Sequence, residues 1–223
     1  MPDHAPSALA RALLQTIESS VIPLTRAGVS SGSKVFGAAI LSRDDLRPLT
    51  VATNDERTSP LLHGEIACIQ RFFAAEDFPE PSARPDPRTG CVFLATHEPC
   101  SLCLSGIAWS GFREVYYLFT YEDSRDLFAI PHDIDILEQV FRVPAAAAAG
   151  ETEEQLRQRP LYNRENKFFA ARSVADLVAS VEDEGERDRL AEDVRRIKGL
   201  YNSLSETYQQ GKQSGVESAS VWK

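Results

Sequence analysis

The sequence predicts an α/β protein in which helices pack on a mixed sheet. Short runs rich in β-branched and aromatic residues, such as CVFLAT and EVYYLF, read as strands. Between them lie stretches with apolar residues at helical spacing, and the order helix, strand, strand, helix, strand, helix, strand, helix, strand assembles into layers. At 223 residues and 43% hydrophobic content, the chain is long enough to bury one good core and carry an appendage.

Ser7 is placed to cap a first helix over 7–21, where Leu9, Leu13, Ile17 and Val21 form one stripe, and Pro23 is expected to end it. KVFGAAIL (34–41) and LTVATN (49–54) flank the polar turn SRDDLRP and read as a hairpin. Ser59 and Pro60 signal a helix start, with Ile66, Ile69 and Phe73 following at helical spacing. The prolines of 78–90 permit only a loop. CVFLAT (91–96) is the third strand, Pro99 opens a helix, and EVYYLF (114–119) is the fourth strand. A short helical segment from Asp123 leads to EQVFRV (138–143), taken as the fifth strand.

After this point the pattern changes. PAAAAAG (144–150), bracketed by Pro144 and Gly150, reads as a linker, and residues 151–209 read as helical throughout. Their stripes are Val174, Leu177, Val178 and Val181, then Leu190, Val194, Ile197, Tyr201 and Leu204, and the tail from Gly211 is expected to fray. The organisation is therefore a domain over 1–143 and a helical extension over 144–223 packing on it.

With 33 acidic against 24 basic residues, the formal charge of −9 disfavours a nucleic-acid partner, whose binding rests on basic patches. No run of eighteen apolar residues occurs, and the start MPDHAPSALARALLQ lacks the basic-then-apolar pattern of a signal peptide. A cytoplasmic protein without membrane contact is expected. Cys68, Cys91, Cys100 and Cys103 do not resemble a secreted disulfide framework; they read as two core thiols and one metal-binding pair.

The chemistry concentrates in two stretches. LLHGEIACIQ places His63 and Glu65 at the mouth of an apolar helix, and THEPCSLCLSGIAW places Cys100 and Cys103 in the first turn of the next. A helix N-terminus favours thiolates, and soft sulfur with imidazole is a zinc ligand set. Three protein ligands leave one position of a tetrahedral ion open to water, and Glu65 is then the natural proton carrier. His97 stands three positions before Cys100, where it lines a cleft, contacts a neighbouring subunit, or closes the metal site as a fourth ligand. Trp109 reads as core against the sheet, and Tyr162, Asn163, Phe168 and Phe169 as either an anchor for the extension or a lid.

The joint pattern H-x-E followed by P-C-x-x-C, carried here by His63, Glu65, Pro99, Cys100 and Cys103, resembles the cytidine deaminase-like zinc superfamily over roughly residues 5–143. The resemblance implies a three-layer α-β-α fold with a five-stranded mixed sheet and one zinc per chain on His63, Cys100 and Cys103. It also implies catalytic Glu65 and a substrate-contacting Asn54. Gly64, Glu98 and His97 join Asn54 as candidate substrate-binding residues. LLHGEI is similar to the motif of fungal cytosine deaminases, whereas GIAWSGFREVYY is similar to bacterial guanine deaminases, and Glu98 stands where the fungal enzymes carry serine.

The expected activity is hydrolytic deamination of a free nucleobase or nucleoside, cytosine or cytidine type favoured. A guanine or other purine or pterin deaminase is the alternative. A nucleic-acid editor and a non-catalytic zinc-stabilised module rank lower, the first against the net charge and the second against an intact Glu65. A homodimer is expected by analogy with the superfamily.

Overall fold

The computed structural model describes residues 4–74, 77–142 and 150–216. Five strands, β1 (Gly37–Ser42), β2 (Pro48–Thr53), β3 (Cys91–His97), β4 (Glu114–Phe119) and β5 (Ala170–Ser173), form one sheet in the order β2-β1-β3-β4-β5. β1 runs antiparallel to β2 and to β3, with Ala38 opposite Ala52 and Ile40 opposite Phe93. β3, β4 and β5 are parallel, with Leu94 beside Tyr116 and Val115 beside Ala171. Every residue of β3 is buried, as a central strand covered on both faces requires.

One face carries α1 (Pro6–Thr16), α2 (Ile22–Ser30), α8 (Val174–Ala179) and α9 (Glu184–Ser214). Leu13, Ile17, Val21, Ile197 and Tyr201 pack there against Leu94 and Leu118. The other face carries α3 (Gly64–Phe73) and α4 (Ser101–Ser110), whose Phe72 and Ile107 meet Ile40, Phe93 and Tyr117. At the carboxyl ends of β3 and β4 lie α5 (Tyr121–Phe128) and α6 (His132–Ile136); α7 (Glu153–Gln158) follows the undescribed linker. The three-layer α-β-α arrangement and the five-stranded mixed sheet are as expected. No helix among the described residues is long and apolar enough to cross a membrane.

Four details differ from the expectation. Pro23 does not end the first helix: a π-helical turn over Ile17–Val21 joins α1 to α2, and Pro23 sits in the first turn of α2. The wider turn leaves room for the proline ring and absorbs its missing N–H. Helix α3 begins at Gly64, not at Pro60, with His63 as its N-cap residue. Residues 138–142 of EQVFRV are not a strand, because Leu137–Phe141 continues α6 as a π-helical turn and leaves Val140 and Phe141 exposed; residue 143 lies outside the described residues. The fifth strand is instead Ala170–Ser173, inside the stretch expected to be helical. Residues 144–149 of the expected linker, and residues 217–223 of the tail, lie outside the described residues. Helix α9 persists to Ser214, where Gly215 at φ 76° ends it in the left-handed conformation glycine favours.

Candidate metal centre and active site

Two helix starts create the centre. His63 is the N-cap residue of α3 and Cys100 that of α4, both with extended backbone, and Cys103 lies in the first turn of α4. Because α3 and α4 cover the same sheet face, their starts meet beyond the end of β3. His63 Nδ1 lies 3.4 Å from Cys100 Sγ and 3.6 Å from Cys103 Sγ. The three ligand atoms are all within 4.8 Å of one another. Tetrahedral zinc with bonds of about 2.05 Å to nitrogen and 2.3 Å to sulfur separates such ligands by about 3.5 Å. The residues therefore fit zinc, and among the described residues they form the one His, Cys and carboxylate group with this closeness.

The charges are interlocked. Cys103 and then His63 hydrogen-bond to Cys100 and hold its thiol well below the usual range, against the opposing effect of burial. Burial drives the Cys103 thiol the other way, reinforced by Cys100. Burial pulls His63 down, but its hydrogen bond to Cys100 and the thiolate charge outweigh it and lift the imidazolium to about 9. Glu65, in the first turn of α3 and 5% exposed, is raised to about 7 by burial and the Cys100 charge, against the pull of His63. The hydrogen bonds and charges of the centre thus favour an imidazolium on His63 and a thiolate on Cys100, beside a carboxyl raised to about 7.

Packing fixes where α3 begins. A Cβ at Gly64 would lie 2.8 Å from Gly37 Cα, so two glycines let the helix start touch β1. Asn54, just past β2, accepts a hydrogen bond of 2.6 Å on Oδ1 from the Gly64 N–H, while its Nδ2 is buried without a protein partner. Asn54, Gly64, His63 and Glu65 form one continuous block.

Residues 16–119 match the family model for the cytidine and deoxycytidylate deaminase zinc-binding region. The match places residues 16–119 in the cytidine deaminase-like zinc superfamily. The chain is a zinc-dependent hydrolytic deaminase, and His63, Cys100 and Cys103 are placed together to hold the ion. Among solved structures it is similar to a guanine deaminase from Nitrosomonas europaea, at 20% identity and a TM-score of 0.45 over 89% of this chain and 87% of that one. A guanine deaminase from Bacillus subtilis matches at 22% identity and a TM-score of 0.45, over 69% of this chain and 86% of that one. A tRNA:A34 deaminase matches at 22% identity and a TM-score of 0.39, over 48% of this chain and 76% of that one. Comparison with curated proteins gives no significant match.

The deaminase has a cleft of about 390 Å³ that reaches His63 and Cys100. Its apolar walls include Phe36, Leu61, Ile130 and Ile136, and its polar lining includes Lys34, Glu56, His132 and Asp133. None of these four polar residues was legible as a site residue: they stand singly in the sequence, and only the turn into α6 brings Asp133 to the metal ligands. Burial and the Cys100 charge raise Asp133 to about 7, against His63. Lys34 and Glu56 form a buried ion pair, in which Glu56 also accepts the Lys34 backbone N–H at 2.7 Å.

The two candidates next to Cys100 do not line this cleft. His97 is 3% exposed; it stacks on Phe119 at 4.7 Å, packs against Phe36, Phe128 and Tyr201, and its Nδ1 pairs with Thr96 Oγ1 at 3.0 Å. It belongs neither to the ligand trio nor to the lining of the cleft, because the end of β3 turns its ring toward Phe119 and Tyr201. Glu98 turns the opposite way, to Tyr162 and Arg164. Trp109, expected in the core, is 91% exposed on the outer face of α4. Of the expected aromatic patch, Phe169 is buried and Phe168 exposed.

Proposed function

We propose that this deaminase acts on a free nucleobase of the purine or pterin class, with guanine as the representative substrate, replacing an exocyclic amine by a carbonyl oxygen and releasing ammonia. The observation that carries the choice is Asp133, a carboxyl group lining the same cleft as His63 and Cys100. A carboxylate accepts the ring N–H of a free base, a donor that glycosylation removes from a nucleoside. Ring N–H groups on both rings of a bicyclic base offer such a donor at more than one edge. The apolar walls suit the ring faces, and the volume is within the range of small-molecule sites. LLHGEI favours a cytosine-type substrate on local similarity, and a cytosine ring also offers one N–H to Asp133. It remains the second reading.

Bound zinc supplies Lewis-acid activation of the attacking water. The chain's own groups do the rest. Glu65 takes a proton from that water, delivers one to the ring nitrogen beside the reacting carbon, and finally protonates the departing amine. Its burial beside the ligands keeps its proton affinity near neutrality, where a shuttle must both accept and donate. Asn54 Nδ2 is the donor for a substrate acceptor atom, supported by its lack of a protein partner. Asp133 orients the far edge of the base, and the face of Phe36 stacks on it.

The reading extends to a homodimer in the cytoplasm. Helix α4 leaves Leu102 and Trp109 exposed on one face, an apolar ridge that a second copy would cover, and four unpaired thiols suit a reducing compartment. The substrate assignment is tested by kcat/KM for guanine and guanosine with Asp133 and Asp133→Asn. Selective turnover of the free base, lost at least about tenfold in the variant, is expected. Equal use of base and nucleoside would sink the assignment.

A further inference from the structure

We propose that Glu98 and Arg164 form a latch through which the segment after residue 150 holds the metal-ligand loop in place, making Glu98 a positioning residue for Cys100. The inference rests on the zinc-ligand reading of Cys100 and is independent of which base is the substrate.

The Glu98 side chain is fully buried, whereas Arg164 is half exposed. Glu98 Oε1 accepts from Tyr162 Oη at 2.8 Å and from Arg164 Nη2 and Nε at 2.8 and 3.1 Å. Its Oε2 accepts the Tyr121 N–H at 3.3 Å, and its own N–H donates to the Phe119 carbonyl at 2.8 Å. One residue on, the Pro99 carbonyl accepts from Tyr121 Oη at 2.5 Å. Both residues preceding Cys100 are therefore pinned, one of them by side chains more than sixty positions away in sequence.

A buried carboxylate is costly unless its oxygens are paired, so the donors around Glu98 act as a unit. Arg164 is itself fixed to the sheet, its carbonyl accepting the Ala171 N–H at 2.9 Å beside β5. Its guanidinium lies 5.7 Å from the Tyr117 ring centre. Without Arg164, Glu98 keeps only the Tyr162 hydroxyl and the Tyr121 N–H, and its buried carboxylate turns toward water. That turn loosens the backbone of residues 98–100 and shifts the Cys100 sulfur relative to His63 and Cys103. No contact with substrate is involved.

The surroundings supply a selective probe. Tyr162 and Arg164 line a groove of about 830 Å³ on the side of α6 away from the metal cleft, with Ile134 on its wall. Removing the Arg164 side chain opens a path from this groove to Glu98 wide enough for free guanidinium.

The test uses the full chain and measures zinc affinity by competition with a chromophoric chelator, with the visible spectrum of the cobalt-substituted protein as a geometric readout. Arg164→Ala is expected to weaken zinc about 10–100-fold and to shift the cobalt bands, as loss of a group supporting a metal ligand does. Glu98→Gln should weaken it likewise, with the double variant no worse than the single ones. Millimolar guanidinium should restore much of the affinity of Arg164→Ala and none of that of Glu98→Gln, a rescue that a general loss of packing would not show. Should Arg164→Ala fail to fold, Tyr162→Phe, which deletes one donor, decides the matter: several-fold weaker zinc supports the latch, unchanged zinc overturns it. Wild-type zinc affinity and cobalt spectrum in folded Arg164→Ala would also overturn it. A wild-type chain without zinc affinity, or Cys100→Ser binding as tightly as wild type, would remove the ligand assignment itself.

Discussion

Asn54 Oδ1 accepts a 2.6 Å hydrogen bond from the Gly64 N–H and so ties the end of β2 to the helix start that presents His63 and Glu65. The same amide carries the unpartnered Nδ2. Structural and substrate roles can therefore be separated by substitution. Asn54→Ala leaves a buried N–H unsatisfied and is expected to cost about 1–3 kcal/mol in denaturant unfolding. Asn54→Asp keeps the acceptor and loses the donor. It should recover most of that stability while KM stays raised; equal losses of stability in both variants would contradict the division.

Gly64→Ala should be more damaging than its size suggests. The added methyl would press on the Gly37 backbone at 2.8 Å, where no flexible side chain can yield. Destabilisation of about 1–3 kcal/mol, with turnover falling as Glu65 is displaced, is the expected result of thermal and kinetic measurements. A variant with wild-type stability and rate would show that the approach of α3 to β1 is not tight.

Zinc uptake should release protons. At pH 7 the metal-free centre holds one on His63, raised to about 9, and one on Cys103, raised well above its usual value, and the Cys100 thiol is held well below its usual range. Calorimetry in buffers of different ionisation enthalpy should report release of at least the His63 and Cys103 protons on zinc binding. A proton count near zero would mean that the site is preformed in its deprotonated state.

The metal-free protein should also lose the contribution of its two buried carboxyl groups as pH rises. Glu65 and Asp133 stand at about 7 in the folded chain, above their ordinary values of 4.5 and 3.8. The folded state thus binds more protons, and the stabilisation present below about 4 declines until the pH passes about 7. His63 acts in the same sense between 6.5 and about 9. His97 and Cys100, held well below their ordinary ranges, act in the opposite sense, so the test is a difference: the urea midpoint of metal-free wild type relative to Glu65→Gln should fall between about pH 4.5 and 7.

The fold was legible where pattern and burial coincide. β3 and β4 are apolar runs because both their faces are covered, and their parallel pairing demands the crossover that α4 provides. β5 was not legible: Ala-Ala-Arg-Ser has no strand pattern of its own and becomes a strand by pairing with β4 alone. EQVFRV carries a strand composition, but its residues 138–141 continue a helix with Val140 and Phe141 outside. The same contrast holds at the site. His63, Glu65, Cys100 and Cys103 are local to two helix starts and could be read directly. His97 and Glu98 do not line the cleft, because closeness to Cys100 along the chain does not decide which way a side chain leaves the end of a strand. Asp133 and Arg164 reach the site region only through tertiary structure.

The segment after residue 150 should prove inseparable from the rest. Ending the chain there deletes β5 and α9, leaving β4 as an open edge and uncovering the partners of Ile197 and Tyr201. Aggregation on size-exclusion chromatography is expected. A monodisperse, active truncation would show that the sheet closes without its fifth strand.

The most direct test of the account is ammonia release by zinc-loaded protein from guanine, guanosine, pterins, cytosine and cytidine, each repeated with Glu65→Gln. The account predicts turnover of guanine or a pterin, falling about 10²–10⁴-fold in the variant while zinc content and fold persist. Turnover confined to cytosine or cytidine, or turnover that survives Glu65→Gln, would contradict it.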